Sequence, residues 1–206
     1  MPQGMPQAKG EALSALQLEA EKCRRCDIWK CGGPVVFGEG PPTAKIMIVG
    51  EQPGDQEDRL GHPFVGPAGH ILDAALLEAS LVRRKLYVSN AVKHFKFTLR
   101  GKRRLHQRPT AGEIDICKWW LWQEIEIIKP KLVLALGASA IRSLVGKTLP
   151  IERNRGRVIE LRPQISLLVS FHPSFILRQR DNASRHELQA KLVEDLEAAS
   201  RFISSC

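Results

Sequence analysis

The chain has 206 residues, 43% hydrophobic and 26% charged, the balance of one ordinary globular domain rather than of a disordered or low-complexity chain. No apolar run reaches the roughly 18 residues that cross a bilayer, and the opening MPQGMPQAKGEAL has no apolar core of a secretory signal, so a cytoplasmic protein is expected. A formal charge of +9 points to a polyanionic partner, nucleic acid before membrane.

Residues 1–8 read as a flexible tail ahead of a single domain over 9–206. From Glu11 to Lys22, Leu13, Leu16 and Ala20 fall at helical spacing. Lys45 to Gly50 (KIMIVG) is a short apolar run, the pattern of a buried strand. A long loop over 51–67 precedes a helix over 68–79, with Ile71, Leu72, Ala75, Leu76 and Ala79 on its apolar face. A second strand covers 86–92. The stretch 93–108, KHFKFTLRGKRRLHQR, has no clear periodicity and predicts a basic loop. Thr110 with Glu113 forms a capping-box pattern that starts a helix, and Lys129-Pro130 closes it. A strand over 131–136, a helix over 137–145, short strands over 157–161 and 165–170 and a helix over 182–202 complete the chain. Strands alternating with helices predict an α/β fold: a mostly parallel central sheet flanked by helices on both faces. Ligands of such sheets gather beyond the carboxyl ends of the strands, where Glu51, Asn90, Gly137 and His172 follow strands directly.

Four constellations carry chemistry. Residues 50–69, GEQPGDQEDRLGHPFVGPAG, follow the first strand. A solvated acidic loop would share the composition, but Gly50, Gly54, Gly66 and Gly69 allow close backbone approach, and Phe64 is placed to stack on a flat ligand. The five cysteines, Cys23, Cys26, Cys31, Cys117 and Cys206, are odd in number and include one CxxC. That favours a metal or cluster over a disulfide framework, with a plain reduced pair as the alternative. Zinc and a [4Fe–4S] cluster both take four ligands. Beyond Cys23 and Cys26, spacing leaves Cys31, His94 and Cys117 as candidates, and Cys206 is the weakest. In Lys102-Arg103-Arg104-Leu105-His106 the cations suit phosphates, and they favour the neutral, nucleophilic form of the His106 ring. Phe171-His172-Pro173-Ser174 offers either a histidine that starts a helix or a donor to an anionic oxygen.

Together, GEQPG with the downstream ED and PFVGPAG, Asn90 with a ligand position four residues on, Cys117 and HPS resemble the iron–sulfur uracil-DNA glycosylases, from about Cys23 to the last helix. Gln52 in place of the usual alanine, HFKF after Asn90-Ala91-Val92-Lys93, and the inserted KRRLH resemble the X-type subgroup, whose members cross-link to uracil-containing DNA. The resemblance implies that Phe64 stacks on the flipped uracil, Asn90 reads its polar edge and His172 stabilises charge on a uracil oxygen. It implies that Glu51 and Gln52 sit beside the sugar, within a substrate site that includes Gly50, Asp55 and Ser174. Lys102, Arg103 and Arg104 would contact DNA, and Cys23, Cys26, His94 and Cys117 would ligate a [4Fe–4S] cluster pinning both ends of the basic loop. His106 would be the nucleophile. The implied activity is excision of uracil in base excision repair, preferably from single-stranded DNA, by a monomer without membrane contact. Free uracil is released, and the protein ends joined to the abasic sugar. The alternatives are a conventional turnover glycosylase, a non-catalytic cluster-bearing nucleic-acid module and a zinc-stabilised domain. Plain strand binding would need no pocket of the Glu51, Phe64, Asn90 and His172 kind.

Overall fold

The computed structural model describes residues 4–31 and 33–205. Helix α1 (Gly4–Ala20) starts inside the expected tail; residues 1–3 of that tail, and Cys206, lie outside the described residues. The run AKGEALSALQLEA is rich in good helix formers, which carries the helix further toward the N-terminus than its apolar stripe alone would. Strand β1 (Ile46–Gly50) leads into α2 (Asp55–Leu60) and α3 (Pro67–Glu78). Next come β2 (Tyr87–Asn90), β3 (Phe97–Arg100) and β4 (Arg103–His106), then α4 (Ala111–Ile128), β5 (Leu132–Leu136) and α5 (Ala138–Val145). The chain ends through α6 (Ile151–Asn154), β6 (Val158–Arg162), β7 (Ile165–Ser170), α7 (Pro173–Leu177) and α8 (Asn182–Ser204).

The main sheet has the order β2-β1-β5-β7-β6. Its first four strands are parallel, and β6 closes the edge antiparallel to β7. Successive strand residues point to opposite faces. Ile46, Ile48, Leu132, Leu134, Leu136 and Leu168 pack toward α3 and α8 through Leu72, Leu76, Leu192 and Leu196. Met47, Val49, Val133, Ala135, Leu167 and Val169 pack toward α4 and α5 through Leu121, Ile125, Ala140 and Ile141. Both faces are covered, so the strands read as continuous apolar runs, and each fully buried aliphatic side chain contributes about 1.5–3 kcal/mol. Thr110 Oγ1 accepts from the Glu113 N–H, and Glu113 Oε2 accepts from the Thr110 N–H, closing the expected box at the start of α4. At its other end Lys129 takes φ 53°, and Lys9 of α1 donates to the Ile128 carbonyl at 2.8 Å.

The expected basic loop is instead a hairpin. Arg100 pairs with Arg103 and Phe97 with His106, leaving Gly101-Lys102 as a two-residue loop with φ 59° at Gly101. Glycine at the first central position is the chemistry such a turn demands. Strand alternation sets Phe97, Arg104 and His106 on the face that packs against the domain. Arg104 reaches Asp55 Oδ1 and Asp58 Oδ2, both at 2.5 Å, and its guanidinium lies 5.4 Å from the Phe95 ring and 5.1 Å from that of Phe97. Asp58 is only 2% exposed; burial pushes its carboxyl up while Arg104 pulls it down. Arg104 was expected on a phosphate. Both acidic partners and two rings occupy it instead, so it anchors the hairpin to α2, while Lys102 and Arg103 remain exposed. Removing one partner of a buried pair strands the other charge. Arg104→Ala is expected to cost about 3 kcal/mol in denaturant unfolding and to speed amide exchange across β3 and β4. Arg103→Ala should change neither; equal effects of the two would remove the anchor role.

Candidate active site

Glu51, Asn90 and His172 follow the carboxyl ends of three parallel strands and converge on one cavity of about 640 Å³. Gly50, expected in the site, is not part of the cavity wall but lies directly behind Asn90 and Phe64. A Cβ there would lie 2.4 Å from Asn90 Oδ1 and 2.5 Å from the Phe64 ring, so only glycine lets the two side chains meet over it. Phe64 is 5% exposed, and its ring centroid lies 5.9 Å from that of His172. Its φ of 56° is left-handed, a conformation that costs a bulky residue on the order of 1–3 kcal/mol.

His172 begins α7. Its Nδ1 accepts from the Ser174 N–H at 3.1 Å, which leaves the ring proton on Nε2. Burial lowers its pKa to about 4, opposed by Glu51 and helped by the charge of Arg178. The site therefore holds a neutral imidazole that donates. Gly137, with φ 87°, stands where a Cβ would come within 3.0 Å of the His172 Cβ.

Glu51 and Gln52 shape the opposite wall. Glu51 Oε2 accepts from Ser139 Oγ at 2.6 Å, and its Oε1 lies 3.5 Å from His106 Nε2. Gln52 Oε1 accepts from the Lys96 N–H at 3.2 Å, which turns the amide nitrogen toward the Gln107 carbonyl at 3.0 Å and His106 Nε2 at 2.9 Å. That orientation assigns His106 Nε2 as an acceptor, with its lone pair in the plane of the ring. Gln52 thus holds the ends of β3 and β4 and the His106 ring together. Asp55 lines the cavity, and Arg104 and Arg59 occupy its carboxylate. Ser174 lines the cavity beside Arg178, whose Nη1 donates to the serine hydroxyl at 3.0 Å.

Sequence reasoning passed over the roles of Glu57 and Ser139. Glu57 accepts from the Gly66 N–H at 2.8 Å and the Gly54 N–H at 3.1 Å, joining the starts of α2 and α3. Its signal was present, a glutamate three residues after the residue that starts a helix. Nothing local marks Ser139, since its partner Glu51 is 88 residues away.

On the far side of the Asn90 turn, Cys23, Cys26, His94 and Cys117 line one small cavity. The Trp120 indole N–H donates to Cys23 Sγ at 3.2 Å, and the Lys93 N–H to Cys117 Sγ at 3.3 Å. Cys31 stands apart, its Sγ 3.8 Å from the Phe97 carbonyl. Burial, with the charge of Arg24, lowers the His94 pKa, keeping the ring in its ligand form. Burial pushes the Cys117 thiol up to about 12. Among the described residues no group of three or more His, Cys, Asp or Glu side chains is placed to hold a metal ion.

A family model described as the uracil DNA glycosylase superfamily matches residues 37–197. The chain belongs to this superfamily. A type-4 uracil-DNA glycosylase of Thermotoga maritima is 36% identical over 194 residues, covering 94% of this chain and 95% of that protein. One from Archaeoglobus fulgidus is 29% identical over 193 residues, covering 90% and 94%. A type-5 uracil-DNA glycosylase of Pyrobaculum aerophilum is 28% identical over 185 residues, covering 81% and 77%. Among the described residues no helix is long and apolar enough to cross a membrane.

For this superfamily member the His172 ring gives a pH signature. A histidine whose folded pKa is depressed stabilises the fold above its unfolded value, near 6.5. That contribution is lost as the pH falls from there toward 4. NMR of the labelled imidazoles should show His172 neutral at pH 5.5, with titration toward pH 4. An ordinary midpoint near 6.5 would show that the ring is not buried in this way.

Proposed function

We propose that the protein excises uracil from DNA and that His106 then captures the sugar, leaving one protein joined to one strand. The observation that carries this reading is the contact of His106 Nε2 with the Gln52 amide at 2.9 Å, beside Glu51 and on the wall of the cavity that Phe64, Asn90 and His172 also line.

Phe64 offers a face for the flipped base, and Asn90, 2% exposed, offers an amide to its polar edge. Flipping costs a few kcal/mol in a duplex and less in a single strand, which is the physical basis for a single-strand preference. As the C1′–N1 bond breaks, its electron pair goes to the uracil ring, and the His172 Nε2–H donates to the oxygen where charge gathers. Glu51 stabilises the positive sugar. The His106 lone pair then forms the C1′–N bond in place of water, favoured by its effective molarity. Loss of the Nδ1 proton to solvent leaves a neutral alkyl imidazole, a poor leaving group, and the uracil anion takes a proton from water. Lys102 in the hairpin loop and Arg103 next to it are exposed and placed for backbone phosphates.

The four donors around the second cavity suit a [4Fe–4S] cluster. They are three sulfurs and a neutral imidazole, and two N–H groups point at the sulfurs, as outer-shell donors do. When bound, the cluster would supply cross-linking between α4, the CxxC segment and the Asn90–His94 turn; every step above belongs to side chains.

Two experiments test the reading. On a denaturing gel with a single-stranded uracil oligonucleotide, the wild type should form one stable adduct per molecule, mapped by mass to the His106 peptide. His106→Ser should instead release uracil, leave an abasic site and turn over. An adduct formed by His106→Ser, or a wild type that turns over without one, returns the protein to conventional hydrolysis. For the cluster, Cys31→Ala should keep a brown chromophore and Cys117→Ala should lose it; the reverse result exchanges their roles.

A further inference from the structure

We infer that Arg83 is a positioning residue for the aromatic platform, its guanidinium holding the Pro63-Phe64 backbone in the left-handed turn that presents the Phe64 ring. The inference rests on the reading that this ring stacks on the base.

Among the described residues, four that are not glycine have positive φ: Phe64, Ser80, Lys129 and Gln164. The last three are exposed, where water and local turns solvate the backbone; Phe64 alone is buried. A bulky buried residue keeps such a conformation only where its surroundings over-determine it. Arg83 does much of this. Its Nη2 donates to the Pro63 carbonyl at 3.0 Å and the Phe64 carbonyl at 3.2 Å, and its Nη1 donates to Asp73 Oδ1 at 2.5 Å. One planar cation therefore ties the two carbonyls flanking the turn to α3, which carries Asp73. The same helix crowds the turn from the other side, where a Cβ at Gly69 would lie 2.0 Å from the Phe64 carbonyl oxygen. Lysine cannot reproduce this fork, because it lacks the fixed plane that serves two acceptors from one nitrogen and a carboxylate from the other.

Arg83 is not a wall of the cavity, so it acts through Phe64 and not on the ligand. Without it the turn is free to relax to negative φ, which swings the ring away from Gly50 and Asn90. The remaining fold loses one partly exposed ion pair, whose side chains are 33% and 47% exposed, a contact of the kind that contributes little to stability.

A double-mutant cycle tests this. Uracil release from a single-stranded uracil oligonucleotide is followed with protein in excess, so that neither turnover nor capture enters the rate. Arg83→Ala is expected to slow the saturated rate about tenfold, Arg83→Lys less, and Phe64→Ala more than either. The double variant should be no slower than Phe64→Ala alone. Free uracil should inhibit Arg83→Ala more weakly than wild type, which a merely structural role would not produce. An additive loss in the double variant, or a wild-type rate for both Arg83→Ala and Arg83→Lys, overturns the positioning role. A wild-type rate for Phe64→Ala strikes the stacking reading itself.

Discussion

Lys93 Nζ and Glu124 Oε2 meet at 2.6 Å, with the two side chains 1% and 0% exposed. A buried ion pair is tolerable only when its other polar valences are filled, and here they are. The ammonium also donates to Ser89 Oγ at 2.6 Å and the Asn90 carbonyl at 3.0 Å. The carboxylate takes in addition the Gly38 N–H, the Tyr87 hydroxyl and the Ser89 hydroxyl. The pair thus joins β2, α4 and the segment before β1. Through its backbone N–H, Lys93 also touches Cys117. The turn that carries Asn90 into one cavity and His94 into the other is therefore held by a single lysine between them. Breaking such a pair costs about 3–5 kcal/mol, and both cavities depend on it.

The site divides along this line. The platform is Phe64, Asn90 and His172, brought together by the carboxyl edge of the sheet and the loop before α3, with Gly50 behind the first two. The hairpin supplies His106 from outside the sheet, and it is fastened separately, by Arg104 to α2 and by Gln52 to the Lys96 and Gln107 backbones. This platform and the hairpin arm meet at Glu51, Gln52 and Asp55, since Asp55 lines the cavity and also holds Arg104. Strain sits on the platform side, in the left-handed turn at Phe64, and the positive charge sits on the arm.

Much of this was legible in the chain because the information is local. The apolar runs KIMIVG and KLVLAL, the Thr110–Glu113 box and the glycines around Phe64 each specify a conformation within a few residues. The hairpin was less legible. Its strands are short and carry charge on both faces, so no period-2 pattern stands out, and only the Gly101-Lys102 turn chemistry betrays it. The short helices α2 and α7 have no room for a periodic stripe.

Composition and pattern by themselves determined the α/β class, the parallel sheet with helices on both faces, the strand ends where a ligand would lie and the residue types able to act there. Tertiary structure alone decided which of those residues meet. It turned Arg104 inward to Asp55 and Asp58, placed His94 rather than Cys31 beside Cys23, Cys26 and Cys117, and set the hydrogen bond that His172 Nδ1 accepts from Ser174 and the face that Gln52 shows to His106. The reason is physical. Backbone preferences act over neighbouring residues, whereas hydrogen bonding, burial and charge pairing act through space, and here they join residues as far apart as Glu51 and Ser139.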